Sequence, residues 1–386
     1  MKEKAFFISD SLPNEMHGGG NVTALNIVIS LQENYDLYLI LIDNKLNRNL
    51  KFCNIKIFKS IIRIKKNKSF FVKIIDFFFL NSLNNQLHNF VIKHKPDLIF
   101  CYGFDAMLSC HRIKNVKKIA SLGDPIYLPV YYRAIYLIKN FKLTDIFNLI
   151  KFYISYLIKY IFINISFFRI RSSFFKIGAF AAHHAKNDYK CEYFRTPINT
   201  QIKVKRKVNN IFTIAHVGHM QGTVTMDSVN NLVFNIAPIL KKKYKGKIKI
   251  LFIGKFFDLL PINIKKKINH LGIFENIGHV RPINKILSKC HAILVCNEIN
   301  LGVRVRILTA MAEGVPIITH SSNTLGIPEL KNNYNCLIGN NSQQLLNACD
   351  IIFKNIYIAN IIAKNAYTTY KKLFSIQNFK RHLINN

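Results

Sequence analysis

The chain has 386 residues, enough for two domains of ordinary size. Half of the residues are hydrophobic and 12% are aromatic, so a large packed core is expected and a disordered chain is not. Fifty-five Lys and Arg residues against 20 Asp and Glu residues give a formal net charge of +35. This excess favours anionic partners, although we assign about half of it to a general bias toward Lys and Asn codons.

The cysteines and the amino terminus indicate the compartment. The eight cysteines are scattered without a Cys-x-x-Cys pair, and several lie in apolar runs, where reduced, buried thiols are expected. The first apolar run is too short, and acidic residues follow it too soon, for a signal peptide. We therefore predict a cytoplasmic protein.

The first half of the chain alternates short apolar runs with helical patterns, which is typical of a parallel sheet with crossover helices. The predicted strands are Ala5–Ser9, Tyr35–Ile42, Asn54–Phe58, Asp97–Tyr102, Lys118–Leu122, Gly178–Ala182 and Glu192–Phe194. His183 and His184 are expected to begin a helix after the sixth of these strands.

A glycine-rich loop follows the first predicted strand. It contains His17, Gly18, Gly19 and Gly20, and Asn21 is expected to cap the next helix. Three glycines let a backbone approach a phosphate or an acceptor closely, and they also fit a plain flexible turn. The spacing is not Gly-x-Gly-x-x-Gly, so no dinucleotide-binding motif is predicted.

Asp124 stands just after the predicted strand Lys118–Leu122. A carboxylate at the end of a parallel strand could orient sugar or acceptor hydroxyls. The alternative is an Asp that starts a turn before Pro125.

The segment from Asp145 to Ser166 predicts a helix with one narrow polar stripe and a very wide apolar face. Lys151 and Lys159 interrupt it, so no uncharged run approaches the ~20 residues of a membrane span. Basic residues flank the segment, which favours contact with an anionic membrane surface over burial at a domain interface.

The polar run from Asn199 to Asn210 is the best linker, and the alternating pattern then restarts. The predicted strands of the second half are Ile211–Val217, Lys247–Ile253, Ile277–Val280, Ala292–Cys296, Pro316–Thr319 and Cys336–Ile338. Ser228–Leu240 is predicted as a helix between the first two.

The run from Asn297 to Leu330 is the most informative part of the sequence. Gly302 precedes a predicted helix start that carries Arg304 and Arg306, and the helix exits into a buried strand. Helix amino termini attract anions, and guanidinium groups suit phosphate oxygens. The loop Ser321–Gly326 follows that strand, at the end where parallel sheets bind ligands. The sequence therefore predicts a nucleotide diphosphate pocket.

This run resembles the donor-binding motif of retaining glycosyltransferases of the GT-B architecture, family four. The matching residues are Gly302, Arg304, Arg306, Leu308, Ala310, Met311, Ala312, Gly314 and Pro316. Thr309 stands where the family places a glutamate that holds the donor ribose hydroxyls. His219 and Val224 stand where many members carry a phosphate-neutralising arginine and lysine. The resemblance is strong from Ile211 to Asp350 and weak in the first half.

The resemblance implies two Rossmann-like domains whose parallel sheets face an interdomain cleft. The implied division is an acceptor domain over 1–198, with an amphipathic insertion at about 130–175, a donor domain over 199–358, and a helix over 359–386 that returns to the first domain. The implied catalytic residues are His17, Asp124, Arg304 and Arg306. The implied donor and phosphate contacts are Gly19, Gly20, Gly218, His219, Gly302, Thr309, Leu325 and Gly326.

The predicted function is transfer of a sugar from a nucleotide diphosphate-sugar to a glycan or lipid-linked acceptor in cell-envelope polysaccharide biosynthesis. No Asp-x-Asp pattern is present, so no metal or other cofactor is expected. The alternatives are an inactive GT-B-like scaffold or binding subunit, because of Thr309, and a nucleotide-sugar epimerase. Nucleic-acid binding would rest on charge alone, and no nucleic-acid partner is predicted. The expected location is cytoplasmic, peripheral on the inner face of the membrane.

Overall fold

A computed structural model describes residues 2–15, 18–43, 55–65, 85–139, 146–199 and 208–384. Its contacts divide the chain into two compact units. The first comprises Met1–Arg195 together with Phe379–Asn386, and the second comprises Thr196–Asn378.

The first unit contains a seven-stranded, wholly parallel sheet in the order β3-β2-β1-β4-β5-β6-β7. Its strands are β1 (Glu3–Ser9), β2 (Tyr35–Asp43), β3 (Phe58–Lys65), β4 (Leu98–Tyr102), β5 (Lys117–Leu122), β6 (Lys176–Ala179) and β7 (Glu192–Tyr193). The central strands are buried apolar runs, as expected for a sheet covered on both faces.

The helices described in this unit connect or cover the strands. They are α1 (Gly19–Leu31), α2 (Asn85–His94), α3 (Phe104–Cys110), α4 (Leu128–Lys139), α5 (Ile146–Ile170) and the short α6 (Ala182–His184), which continues as a π-helical turn (Ala185–Tyr189). The final helix also reaches this unit, because Phe379 packs its ring 6.2 Å from that of Phe194. Lys380 pairs with Glu33 at 2.6 Å.

The second unit contains a six-stranded parallel sheet in the order β10-β9-β8-β11-β12-β13. Its strands are β8 (Phe212–Val217), β9 (Ile248–Ile253), β10 (Phe274–Gly278), β11 (Ala292–Val295), β12 (Ile317–His320) and β13 (Leu337–Gly339). Its helices are α7 (Thr223–Asn230), α8 (Ala237–Tyr244), α9 (Ile262–Leu271), α10 (Asn284–Leu287), α11 (Val305–Glu313), α12 (Ser342–Lys354) and α13 (Ile356–Leu373), and α14 (Ile376–Ile384) ends the described chain. Two buried apolar clusters form its core.

Two local predictions are wrong, and a third is confirmed as a helix with wider bounds. The residues predicted as the strand Asn54–Phe58 form a 3₁₀ turn at Ile55–Ile57, and the strand follows as β3. Its alternating pattern suits the sheet edge, where one side meets solvent. The first helix begins at Gly19, so Asn21 lies inside it and donates to the Leu12 carbonyl at 2.7 Å instead of capping it. The predicted helix Ser228–Leu240 is part of a longer segment, α7 to α8, joined by a π-helical turn (Asn231–Ile236).

The helical stretch Ile146–Ser173 is long and apolar enough to cross a bilayer, with a mean hydropathy of 1.5 and 11% of its 18-residue apolar window buried. The bent pair α12 and α13 passes the same test only when counted as one broken span. The last third of α5 packs into the first unit through Phe162, Phe167 and Ile170. A transbilayer position would pull these side chains out of the core.

Candidate functional site

The predicted donor residues lie at the carboxyl edge of the second sheet. Strand order reverses between β8 and β11, and a ligand is expected at such a switch point. Gly218 and His219 follow β8, while Gly302 and Arg304 lie between β11 and α11. Folding therefore brings together two segments separated by more than eighty residues in sequence.

Arg306 is fixed at this switch point by its own hydrogen bonds. Its Nη1 donates to the Val217 carbonyl at 2.7 Å, and its Nη2 to Oδ1 of Asn297 at 3.4 Å. Its Nε is buried and has no hydrogen-bond partner within the described part of the chain. A buried, unsatisfied charged donor is costly, so an anion that accepts from it would be stabilising.

A second cation stands beside it. Arg304 is the residue that precedes the first turn of α11, and Arg306 lies in that turn. Burial, followed by the charge of Arg304, lowers the pKa of Arg306 to about 9. Two guanidinium groups that repel each other at a helix amino terminus have the chemistry to favour a multiply charged anion.

Close backbone contacts hold the loops around these arginines. A Cβ on Gly254 would lie 1.9 Å from the Gly218 carbonyl oxygen, and a Cβ on Gly218 would lie 2.9 Å from Nη1 of Arg306. Gly302 adopts φ +66°, and a Cβ on Gly326 would lie 2.7 Å from the Gly302 carbonyl oxygen. Leu325, the preceding residue, is exposed. The close contact between the loops after β8 and β9, and the one between the loops after β11 and β12, therefore both require glycine.

A buried amide network, missed in the sequence, supports the loop after β11. Asn297 is fully buried, and its Nδ2 donates to Oδ1 of Asn323 at 3.1 Å. Asp227 of α7 accepts from the backbone N–H groups of Glu298 and Ile299, at 2.7 and 3.1 Å. Asn residues next to buried strands could have indicated this network. The two partners lie 26 positions apart, so the sequence alone did not pair them.

Thr309 is half-buried, and its side chain is bonded to its own helix. Its hydroxyl donates to the Val305 carbonyl, one turn earlier in α11, at 3.0 Å. A threonine in this arrangement offers a ligand no free carboxylate and only a hydroxyl that is already bonded to its own helix.

His219 lies beside His279, which follows β10. Their rings stack at 6.3 Å, and Phe256 lies 5.8 Å from the His219 ring. Phe256 is 45% exposed and has a positive φ of 68°, unusual for a bulky residue. Val224, at the position of the family's lysine, is buried.

The carboxyl edge of the first sheet carries a different set of residues. His17 lies outside the described residues. Gly19 and Gly20 form the first turn of α1 instead of a loop, and the Gly20 carbonyl accepts from the Tyr102 hydroxyl at 2.9 Å. Burial, then the charges of Asp10 and Asp124, raises the pKa of Tyr102. Asp10, which the sequence analysis overlooked, therefore belongs to this edge.

Asp124 joins a chain of polar side chains in the first unit. The His184 ring lies between two carboxylates, with Nδ1 2.7 Å from Asp188 and Nε2 3.4 Å from Asp124. The Tyr127 hydroxyl donates to the other oxygen of Asp188. His184 and Asp188 belong to α6 and its π-helical continuation, so the sequence prediction of a helix start hid their role.

The contacts among Asp124, His184 and Asp188 shift the pKa values of the histidine and of Asp188 in opposite directions. Burial tends to lower the pKa of His184, but its bonds to Asp124 and Asp188 outweigh burial and raise it. Burial tends to raise the pKa of Asp188, and the His184 and Tyr127 bonds lower it. The contacts therefore favour the imidazolium form of His184 and the carboxylate form of Asp188, and Asp124, one-third exposed, faces the histidine.

Over the described ranges, no three His, Cys, Asp or Glu side chains gather closely enough to hold a metal ion. A reaction without a metal stays a prediction.

Residues 211–355, less than half of the chain, match the family described as Glycosyl transferases group 1. No curated protein sequence matches the chain significantly.

Solved structures of low identity match nearly the whole chain. HepE of Anabaena, solved in complex with UDP, is 13% identical, with 99% of this chain and 98% of HepE covered and a TM-score of 0.66. Sucrose-phosphate synthase from Thermosynechococcus elongatus is 12% identical, with coverages of 98% and 97% and a TM-score of 0.70. WaaG, a glycosyltransferase involved in lipopolysaccharide biosynthesis, is 12% identical, with coverages of 99% and 100% and a TM-score of 0.60.

These similarities establish the fold. The chain has the GT-B architecture, with two Rossmann-like α/β domains built on parallel sheets, and the predicted fold class is confirmed.

Proposed function

We propose that this protein is a retaining glycosyltransferase of family-four type that moves a sugar from a nucleotide diphosphate-sugar to a glycan or lipid-linked acceptor. The observation that carries the proposal is the pair Arg304 and Arg306 at the start of α11, with the buried Nε of Arg306 unsatisfied. The match of residues 211–355 to Glycosyl transferases group 1 supports it.

The chemistry of this site suits a departing diphosphate. Breaking a sugar–phosphate bond develops negative charge on the leaving group, and fixed cations and N–H dipoles lower that barrier. Arg306 is fixed in advance by Val217 and Asn297, so little reorganisation is needed when the charge develops. In the first unit, Asp124 supplies a carboxylate that can accept from a sugar or acceptor hydroxyl.

UDP-sugars are the first donors to test, because HepE was solved with UDP and with UDP-glucose. We place the activity in cell-envelope polysaccharide biosynthesis, as for the lipopolysaccharide enzyme WaaG. We also propose a cytoplasmic protein that associates peripherally with an anionic membrane, because most of α5 exposes apolar side chains beside basic ones.

A nucleotide-binding subunit without transferase activity is the second candidate. The Thr309 hydroxyl is bonded to its own helix, so the ribose contact that the family makes through glutamate is missing.

The experiment is a panel of UDP-, GDP- and CMP-sugars, read by protection against melting and by nucleotide release. Protection with release supports the transferase, and protection without release supports the binding subunit. No effect across the panel, or an unchanged effect in the Arg304→Ala, Arg306→Ala double variant, contradicts both. Lys289→Ala, which removes an exposed cation outside α11, is the control.

A further inference from the structure

His184 is a buried histidine held between two carboxylates of the first unit. Its side chain is only 3% exposed. Its Nδ1 lies 2.7 Å from Oδ2 of Asp188, one turn later in the same segment, and its Nε2 lies 3.4 Å from Oδ1 of Asp124, which follows β5. The Nε2 atom is buried, and within the described ranges the Asp124 carboxylate is the acceptor that it faces. The ring therefore connects an interior carboxylate to one at the sheet edge.

The two contacts of the ring require different protonation states. Asp188 is the nearer carboxylate, so the hydrogen of a neutral ring stays on Nδ1, and Nε2 then presents a lone pair to Asp124. Only the imidazolium has a hydrogen on both nitrogens and attracts both carboxylates. Burial alone would lower the pKa of His184, but its contacts with Asp124 and Asp188 outweigh burial and raise it. The attraction to Asp124 is therefore present below that raised pKa and is lost as pH rises through it.

Asp188 is itself fixed by a second donor. Tyr127, just before α4, donates its hydroxyl to the other oxygen of Asp188. Tyr127 is buried, and its ring lies 5.6 Å from that of Tyr156 and 5.2 Å from that of Tyr160, both in α5. Because both oxygens of Asp188 are engaged by buried side chains, the carboxylate holds the His184 ring in one position.

The other titratable groups around His184 are His183 and Tyr189. The His183 ring lies 3.8 Å from the His184 ring. Burial, followed by the charge of Asp124, raises the pKa of Tyr189, which stays a neutral phenol. In the part of the chain that the structure describes, neither Asp124 nor Asp188 forms an ion pair with a lysine or an arginine. His184 is therefore the cation that holds Asp124.

Asp124 retains one oxygen for a ligand. Its Oδ1 faces His184, and no other hydrogen bond or ion pair from the described ranges reaches its side chain, which is one-third exposed. The residue lies at the carboxyl edge of the first sheet, where parallel sheets bind ligands. A carboxylate oxygen only accepts hydrogen bonds, so it suits a hydroxyl group and disfavours a phosphate.

We propose that His184 is a positioning residue, which holds Oδ1 of Asp124 so that Oδ2 accepts a hydrogen bond from a hydroxyl of the sugar or of the acceptor. Asp188 and Tyr127 fix the ring from its other side. This role rests on the proposed transferase activity, and it acts through Asp124 without contact between His184 and the substrate.

The first measurement follows the histidine rings of the full-length protein by proton–nitrogen NMR over a pH series, and it needs no ligand. We expect His184 to be mostly imidazolium at pH ~6.5, where an unperturbed histidine is half protonated. Asp124→Asn should lower the pKa of His184 and shift its Nε2 resonance. A mainly neutral His184 at this pH, or a ring that does not respond to Asp124→Asn, would overturn the proposal.

The second measurement is UDP release from the UDP-sugar that protects the protein best against melting. His184→Gln should lower kcat about thirtyfold and leave the KM of the donor unchanged, since a misplaced group costs turnover more than binding. In the unchanged protein, kcat should fall as pH rises through the pKa of His184 that NMR measures, and His184→Gln should lack this fall. The same kcat or the same pH profile in both proteins would contradict the positioning role.

Variants of Asp188 separate positioning from folding. Asp188→Asn removes the charge that Nδ1 faces and should lower kcat about tenfold, whereas Asp188→Glu should recover most of it. His111→Gln is the matched control, because this half-buried ring of the first unit contacts the Leu108 carbonyl at 2.7 Å and no carboxylate. It should change neither kcat nor the His184 resonances. Equal losses in Asp188→Glu and Asp188→Asn would show that the segment is merely structural.

The two measurements fail separately. UDP release without the NMR response of His184 to Asp124→Asn rejects the positioning role alone. The NMR response without UDP release from any donor rejects the transferase, and the positioning role falls with it.

Discussion

The loops after β8 and β11 in the second unit and those after β5 and β6 in the first occupy the carboxyl edges of two similar sheets, yet they gather opposite charges. Arg304 and Arg306 lie close enough at the start of α11 for the charge of Arg304 to lower the pKa of Arg306, whereas Asp124 and Asp188 enclose one histidine. The same architecture therefore carries cationic side chains at one edge and carboxylates around a histidine at the other. The difference comes from side chains and loops, because the strands are equally apolar.

Two glycines offer the sharpest contrast between the edges. Gly254→Ala places a Cβ 1.9 Å from the Gly218 carbonyl oxygen, which is backbone and cannot yield cheaply. We expect it to destabilise the second unit by about 3 kcal/mol or more. Gly123→Ala, in the first unit, meets nothing within 4 Å and should be nearly neutral. Urea denaturation of both variants checks this, and equal effects would refute the contrast.

Removing one guanidinium should disable the anion site alone. We expect Arg306→Ala to weaken UDP binding about a hundredfold, since charged hydrogen bonds contribute the most to phosphate recognition. Titration calorimetry provides the measurement. Arg306→Lys should recover only part of the loss, because an ammonium cannot hold both Val217 and Asn297 in one plane. Affinity unchanged in both variants would move the anion site elsewhere.

Two buried histidines should give the units opposite pH responses. Burial, and then Arg306, lowers the pKa of His216 to about 3, so its contribution to stability is present above pH ~6.5 and is lost on acidification. The pKa of His184 is raised, so its contribution is present below pH ~6.5 and is lost as pH rises through the folded value. Each slope is limited to about 1.4 kcal/mol per pH unit.

Amide hydrogen exchange measures the stability of the two units separately, through the protection of amides in β8 and in β5. His216→Gln should reduce the loss of protection at acidic pH in β8 only. His184→Gln should reduce the loss of protection at alkaline pH in β5 only. The same slope in a variant as in the unchanged protein would show that another group controls that unit.

The smallest expected effect concerns Thr309. Thr309→Glu restores the family's carboxylate and should tighten UDP binding about tenfold through the ribose hydroxyls. Thr309→Val removes only the hydroxyl bonded to Val305 and should leave affinity unchanged. Calorimetry compares the two variants. A loss of affinity in Thr309→Val would show that the hydroxyl itself contacts the ligand.

The sequence by itself determined most of the succession of strands and helices and the start of α11 after Gly302. These features are local: buried parallel strands are continuous apolar runs, and a helix start after glycine carries its own polarity. Errors occurred where the local signal was ambiguous, as in the edge strand β3 and the glycine-rich start of α1.

Only the tertiary structure decided which side chains meet. Arg306 reaches the Val217 carbonyl across 89 positions, and Tyr127 reaches Asp188 across 61. Such pairs produce no periodic pattern in the sequence, because the packing of the strands and loops brings the two residues together and they share no short sequence spacing. For the same reason His184 looked like an ordinary helix start, and only its position between two carboxylates revealed how Asp124 is held.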